Sequence, residues 1–286
     1  MSINKFCLIG HPLEHSISPQ IHKRLFEISG YDGEYVLNHF IPEKLDNEII
    51  NLKSFSGFNA TIPYKQKIIP FLDEISPQAK KYGAVNTVKN EDGKLCGFNT
   101  DVEGFLRSLK YADIELKGDV LICGAGGVSR MMACEALDNK CVLTIATRTI
   151  EKAQRCKDDL MKLYPNATIK ADKLDDIRNG FDLILNGTPS GMYPHVESCP
   201  LERQIVQSSK AVFDAIYNPC ETLLLRYAKE ACLKIQGGLK MLVWQAAAAQ
   251  EIWTNTTFDA FDIENLCNEM SEIIEKSFNR KFEECI

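Results

Sequence analysis

Apolar residues come in short runs along this chain, and most runs are followed by a stretch in which apolar positions recur at helical spacing. Residues 5–9 read as a strand, and residues 18–29 as a helix capped by Ser18 with Pro19 at its first position. Residues 34–40 read as a strand, 42–52 as a helix, and 58–61 as a short strand ending before Pro63. Residues 84–89 and 94–97 pair as a hairpin turning at Glu91-Asp92-Gly93, and 101–110 follow as a helix. A second series starts near Lys117-Gly118. Strand 119–123 runs into Gly124-Ala125-Gly126-Gly127 and a helix reaching about Leu137. Strand 141–146, helix 150–163 and strand 168–171 come next, then strands 181–186 and 211–215. From Gly238 onward the pattern is helical, over 241–252 and 263–278, with no strand signal.

Strand–helix alternation implies right-handed crossovers and a parallel sheet. The expectation is an α/β protein of two domains. An N-terminal α/β domain covers residues 1–102 and is completed by helices returning from 240–286, and a second domain covers 103–239. A length of 286 residues suits two domains of roughly 100–150 residues each.

The second domain carries the clearest chemistry. Gly124-Ala125-Gly126-Gly127-Val128-Ser129 follows a strand and opens a helix. Glycine permits the tight turn and lets the backbone approach a pyrophosphate, while the helix end offers free N–H groups and a positive dipole end. Ser129 stands where glycine or alanine is usual. This is the dinucleotide-binding pattern of a Rossmann-type domain. The next strand ends Ala146-Thr147-Arg148-Thr149, with Lys152 one turn later. An NAD site normally has an acidic residue there for the ribose 2′-hydroxyl. Arg148 instead suits the 2′-phosphate of NADP, through paired charged hydrogen bonds.

In the N-terminal domain, polar residues stand at strand ends. Ser16 and Ser18 lie between the first strand and its helix, where hydroxyls and free N–H groups can receive a carboxylate. Asn59-Ala60-Thr61-Ile62-Pro63-Tyr64-Lys65 puts an amide, a hydroxyl and an amine at one strand end. Gly83-Ala84-Val85-Asn86-Thr87 and Gly97-Phe98-Asn99-Thr100-Asp101 repeat the pattern.

Together, and in this order, these segments resemble the shikimate/quinate dehydrogenase family. The resemblance continues through the glycine loop, Thr147-Arg148-Thr149, Asn186-Gly187-Thr188-Pro189-Ser190-Gly191-Met192, Asp214-Ala215-Ile216-Tyr217-Asn218-Pro219 and Gly238-Leu239-Lys240-Met241-Leu242-Val243-Trp244-Gln245. It runs from Gly10 to Gln245. The chain has Thr147 where the family usually has Asn, Gly187 where Ala is common and Ala60 where Val is common.

The resemblance implies a substrate domain beside an NADP-binding domain, and reversible NADPH-dependent reduction of 3-dehydroshikimate to shikimate in chorismate and aromatic amino acid biosynthesis. It implies Lys65 and Asp101 as the catalytic pair, with Ser16, Ser18, Asn59, Thr61, Asn86, Tyr217 and Gln245 around the substrate. It places NADP on Gly124, Ala125, Gly126, Gly127, Val128, Ser129, Thr147, Arg148, Thr149, Lys152, Thr188, Gly238 and Met241. Hydride addition to a ketone creates an alkoxide, and an ammonium such as that of Lys65 can stabilise the charge and donate the proton. The alternatives are a quinate or dual quinate/shikimate dehydrogenase using NAD(P), and a non-catalytic ligand-sensing relative. Retention of both Lys65 and Asp101 speaks against the sensor.

Composition narrows the classes further. Hydrophobic residues make up 45% and charged residues 25%, as in soluble globular proteins. A net charge of -6 argues against a general nucleic-acid binder. No signal peptide precedes the first strand, and no apolar run approaches the ~20 residues of a membrane helix. The 11 cysteines form no Cys-x-x-Cys and read as buried free thiols of a cytoplasmic protein. Neither they nor the five histidines cluster at metal-ligand spacing, so no metal is expected. His11, His15 and His22 are given turn and helix-surface roles. The expected partner is a small-molecule substrate, with no nucleic acid and no membrane, in a monomer or homodimer.

Overall fold

The computed structural model describes residues 4–13 and 16–283. The chain groups into two compact units, Met1–Gly104 with Val243–Leu266, and Phe105–Leu242 with Cys267–Ile286.

The first unit contains β1 (Asn4–Gly10), α1 (Ser18–Ser29), β2 (Gly33–His39), α2 (Leu45–Leu52), β3 (Gly57–Ala60), α3 (Tyr64–Lys67), β4 (Glu74–Ile75), α4 (Pro77–Tyr82), β5 (Thr87–Glu91) and β6 (Lys94–Phe98). Its sheet has the order β2-β1-β3-β5-β6-β4. The hairpin expected over 84–89 and 94–97 is present as β5 and β6. β1 runs parallel to β2 and β3, but β5 is antiparallel to both β3 and β6, because the 5–6 connection is a tight hairpin. The helix expected over 42–52 begins as a 3-10 turn, Pro42–Lys44, before α2.

Both faces of this sheet are covered, as the unbroken apolar run of β1 requires. Phe6 and Leu8 pack with Phe26, Tyr35, Ala249 and Trp253, while Cys7 and Ile9 join Leu45, Leu52, Phe58, Tyr64 and Leu95. Trp253 ties the returning segment to the sheet. Its indole N–H donates to the Val88 carbonyl at 2.9 Å, and a Cβ on Gly57 would sit 2.5 Å from the indole nitrogen.

The remaining elements are α5 (Asp101–Tyr111), β7 (Asp119–Cys123), α6 (Gly127–Asp138), β8 (Val142–Thr147), α7 (Ile150–Leu163), β9 (Ile169–Lys173), β10 (Leu183–Asn186), α8 (Arg203–Gln207), β11 (Ala211–Asp214), α9 (Leu223–Glu230), β12 (Lys234–Gly237), α10 (Gly238–Thr254) and α11 (Ala260–Glu283). The second sheet has the order β12-β11-β10-β7-β8-β9, with every pairing parallel. Counting its own strands, that is the 3-2-1-4-5-6 order of a dinucleotide-binding domain. Val120, Leu121, Ile122 and Cys123 are all fully buried in its centre.

The units divide differently from the expected 240–286 return. Val243–Leu266 groups with the first unit, whereas the chain from Cys267 groups with the second. The cause is local packing. Cys267, Met270 and Ile274 are buried, and the Ser271 hydroxyl donates to Cys220 Sγ at 3.5 Å on the loop after β11. Phe105 meets Phe213 edge-on at 5.0 Å, which draws the second half of α5 to the same unit. No described helix is long and apolar enough to cross a membrane.

Candidate active site

In the first unit, one end of the sheet gathers four polar strand ends. β1 and β3 are parallel neighbours, so the Ser16–Ser18 segment and the Thr61–Lys65 segment leave from the same side. A Cβ on Gly10 would stand 2.5 Å from Thr61 Cγ2, and the Thr61 amide donates to the Ile9 carbonyl at 2.9 Å. β5 runs against β3, with Asn59 opposite Thr87, which brings Asn86 to that end. β6 runs against β5 and delivers Asp101 to the start of α5.

There Lys65 Nζ donates to Asp101 Oδ2 at 2.6 Å, the two side chains being 26% and 14% exposed. The other carboxylate oxygen accepts from Asn86 Nδ2 at 2.9 Å. Asn86 Nδ2 also lies 3.1 Å from Thr100 Oγ1 and 3.4 Å from Gln245 Oε1. Two amide hydrogens cannot serve three acceptors fully, and the Gln245 contact is the weakest. The first-turn position of Asp101 sets its charge at the favourable end of α5.

Behind these groups lies a buried network. Asn59 accepts from the Tyr35 hydroxyl at 2.7 Å and donates to the Asn86 carbonyl at 3.1 Å and to Thr87 Oγ1 at 3.0 Å. Asn86 Oδ1 accepts from the Thr100 amide at 2.7 Å and the Thr87 hydroxyl at 3.1 Å. Asn99 accepts from the Asp101 amide at 3.1 Å. Both Asn59 amide hydrogens are therefore spent inside the protein. Thr87, Asn99 and Thr100 stand within the strand-end motifs but were given no role of their own, and Tyr35, on β2, carried no signal beyond its apolar strand.

Ser18 does not cap α1. The cap position is Ile17, without a side-chain hydrogen bond, and Ser18 is the first helical residue. Its hydroxyl instead accepts from Ser16 Oγ at 3.1 Å, while its amide donates to Ser16 Oγ at 3.3 Å. The expected surface role of His22 is likewise overturned. His22 is fully buried and stacks on Tyr35 at 3.9 Å, because it shares the inward face of α1 with Ile21, Leu25 and Phe26. Burial lowers its pKa to about 3. His15 lies outside the described residues.

In the second unit, the glycine loop and residues 186–188 flank the point where strand order reverses, between β7 and β10. Gly124 has φ +109, a conformation that glycine adopts freely. Gly126 caps α6 with no side-chain bond, and a Cβ on Gly126 or Gly127 would meet nothing within 4 Å. That open cradle of backbone amides fits a pyrophosphate. Ala125 stands between Gly124 and Gly126, and Val128 lies in the first turn of α6. Ser129 is buried and its hydroxyl has no partner, yet a Cβ on residue 187 would lie 2.4 Å from it. The serine at 129 and the glycine at 187 thus fit one another in size.

Beside the loop, the Gly124 amide donates to the Ala146 carbonyl at 2.8 Å, which sets Thr147-Arg148-Thr149 next to it. The Thr147 hydroxyl donates to the Thr149 carbonyl at 2.6 Å. Arg148, Thr149 and Lys152 are exposed, and among the described residues neither Arg148 nor Lys152 has an ion-pair partner. Thr188 donates through both its amide and its hydroxyl to Asn186 Oδ1, at 3.0 and 2.7 Å. Gly238 approaches so closely that a Cβ would stand 2.2 Å from the Ala215 carbonyl oxygen, and Met241 is buried one turn on. Tyr217 follows β11 in this second unit, unlike the other expected substrate residues, and burial raises its pKa.

Asp214 is a fully buried carboxylate at the end of β11. It accepts from Asn186 Nδ2 at 2.9 Å, the Ile216 amide at 3.1 Å and the Thr222 hydroxyl at 2.7 Å. Burial raises its pKa from 3.8 to about 6, against the opposing pull of those donors. A carboxyl whose folded pKa is raised favours the fold below the unfolded value, and that contribution is lost as pH rises through about 6. Relative to Asp214→Asn, wild-type unfolding free energy is expected to fall by up to about 3 kcal/mol between pH 4 and 7. Urea denaturation of both proteins across that range measures it, and parallel pH curves would refute the assignment.

The family pattern described as the shikimate dehydrogenase substrate binding domain matches residues 8–88. The chain is 41% identical over 275 residues to the shikimate dehydrogenase (NADP(+)) of Caldanaerobacter subterraneus subsp. tengcongensis, covering 93% of this chain and 97% of that protein. Among solved structures it is similar to the shikimate 5-dehydrogenase of Thermus thermophilus in complex with NADP(H) and shikimate. The TM-score is 0.83 at 34% identity, over 93% of this chain and 99% of that one. It is also similar to the 5-ketofructose reductase of Gluconobacter sp. strain CHM43, with a TM-score of 0.82 at 28% identity over 94% and 99% of the two chains.

Proposed function

The chain belongs to the shikimate dehydrogenase family, and from that premise we propose that it catalyses the reversible, NADPH-dependent reduction of 3-dehydroshikimate to shikimate, in chorismate and aromatic amino acid biosynthesis. The observation that carries the reading is the Lys65–Asp101 pair, set in a ring of strand-end amides and hydroxyls. NADPH, when bound, supplies the hydride. Lys65 faces the oxygen on which negative charge develops and gives it a proton. Asp101 orients the ammonium, and Asn86 holds Asp101 from its other oxygen. Asn59 keeps Asn86 and Thr87 in place, while Thr61 and Gln245 offer polar atoms to the ring hydroxyls.

The cofactor residues fit NADP. The loop Gly124–Ser129 would cradle the pyrophosphate, Arg148 and Lys152 would hold the 2′-phosphate, and Thr188, Gly238 and Met241 would line the nicotinamide half. None of the ten described cysteines is joined in a disulfide, and burial pushes the Cys7 and Cys123 thiols upward. That supports a reducing, cytoplasmic setting. A monomer or homodimer suffices, since no proposed role calls on a second chain.

A 5-ketofructose reductase shares this fold, so the acid accepted depends on the ring residues rather than on the scaffold. Ser16 and Ser18 are placed at the carboxylate. Their hydroxyls already contact one another, so with both engaged on the carboxylate neither is left for the additional hydroxyl that quinate bears beside it. An unpaired buried hydroxyl costs roughly 1–3 kcal/mol. Shikimate is therefore expected to exceed quinate by about ten- to a hundredfold in kcat/KM. NADP and NAD reduction, each measured with shikimate and with quinate, tests the whole reading. No activity with shikimate would refute it, and equal values for the two acids would favour a dual quinate/shikimate enzyme.

A further inference from the structure

We propose that His11 and His39 form a two-histidine site for a borderline divalent cation of the Zn²⁺, Ni²⁺ or Cu²⁺ class. The two residues are 28 positions apart in sequence but leave neighbouring parallel strands at the same end, where Gly10 of β1 is in register with His39 of β2. His11 Nδ1 and His39 Nε2 lie 2.5 Å apart. The ring centroids are 4.7 Å apart and the planes 29° from each other. The nitrogens thus fall between the two rings and confront one another edge to edge. Only one proton fits between them, so at least one of the two offers a bare lone pair, and both do when each imidazole carries its proton on the other nitrogen.

Lone pairs in this position are what a metal of intermediate softness takes from imidazole. Metal–nitrogen bonds of about 2.0–2.1 Å would set the two nitrogens roughly 3 Å apart. The required movement is small, and His39 is exposed at the end of an edge strand, where it can turn. His11 is the fixed partner. Its backbone amide donates to the Ile62 carbonyl at 3.1 Å, so its ring swings from an anchored position. Among the described residues no third histidine, cysteine, aspartate or glutamate joins the pair. Water would complete the coordination, which makes this an open site rather than a closed structural one. Neither histidine belongs to the hydride-transfer machinery, so the site adds to the proposed function and does not depend on it.

Calorimetric titration of the intact protein with NiCl₂, and electron paramagnetic resonance with CuCl₂, test it without an activity readout. The wild type is expected to bind one Ni²⁺, and His39→Gln and His11→Gln are each expected to weaken it at least tenfold. Most of the loss should already appear in either single variant, because each alone destroys the chelate, and the double variant should lose only the remaining single-histidine binding. The Cu²⁺ spectrum should show two nitrogen couplings, reduced to one or none in His39→Gln. His195→Gln removes an exposed histidine elsewhere and should change nothing. Unchanged binding in His39→Gln, an equal loss in His195→Gln, or no binding by the wild type would each overturn the proposal. In the last case the pair would be an N–H···N hydrogen bond and nothing more.

Discussion

Replacing Lys65 with alanine is expected to lower kcat by roughly 10²–10⁴-fold, the usual contribution of a positioned general acid or base, while KM for shikimate moves much less. The amine sits 2.6 Å from Asp101 Oδ2 at the sheet end where the other strand-end polar groups collect. It stands on α3, whose carbonyl at Lys65 accepts from the Val85 amide at 2.8 Å, so its backbone is fixed to the segment that carries Asn86. Removing it should leave the fold standing, because Asp101 keeps its Asn86 contact and remains partly exposed. A role confined to binding would appear as a raised KM with kcat intact, whereas a proton donor acts mainly on the chemical step. Steady-state kinetics on a variant whose thermal transition matches the wild type makes the distinction. Turnover within a few-fold of the wild type would remove Lys65 from the catalytic role. Asp101→Asn should give a smaller loss of the same kind, since it disorients the ammonium without deleting it.

Much of this was legible in the sequence where a single physical signal dominates. The run 119–123 became β7 without adjustment, because a strand buried on both faces must be apolar throughout. Helix α7 kept its expected bounds, since Ile150–Leu163 carries a clear helical stripe of Ala153, Cys156 and Leu160. The elements that escaped are short. β4 has two residues and α4 six, too few for a period to emerge, although Ser76-Pro77 and Gly83 marked the ends of α4. Thr222, which accepts from the Leu225 amide, marked the start of α9 in the same way. His22 was misplaced for a different reason. Its chemistry drew the eye to the surface, while its spacing from Leu25 and Phe26 put it on the buried face.

The site divides along the same line. The family resemblance, carried by the strand-end motifs, pointed to Lys65, Asp101 and Asn86, but which atoms meet depended on register. Thr87 opposite both Asn59 and Phe98 is what brings three separate segments together. The pairing of His11 with His39 depends on the β1–β2 register and has no local signature at all. Two departures from the usual motifs, Ser129 and Gly187, looked unrelated along the chain and adjoin in space. Thr147 is the case where the structure changes the weight of a residue, and it bears directly on cofactor choice.

Arg148→Ala is expected to weaken NADPH by roughly ten- to a hundredfold while leaving NADH nearly unchanged, as loss of a charged hydrogen-bonded clamp worth roughly 1.5–3 kcal/mol requires. The 2′-phosphate is the only feature that separates the two cofactors, so the selectivity must come from groups that meet it. Thr147 cannot donate to it in its present geometry, because its hydroxyl proton is directed to the Thr149 carbonyl at 2.6 Å. Arg148 and Lys152 are left as the cations at the end of β8, both exposed and without ion-pair partners among the described residues. The guanidinium can bind two phosphate oxygens at once, and the ammonium acts as a point charge. Lys152→Ala should therefore show a smaller loss, and both losses should shrink at high salt, because exposed charges are screened. KM for NADPH and NADH in the wild type and both variants, at low and high ionic strength, measures all of these. A wild type that uses NADH as well as NADPH at equal concentration would overturn the inference from the absent acidic residue and the selective clamp at Arg148 together. An Arg148→Ala variant that loses both cofactors alike would place the side chain on a part they share.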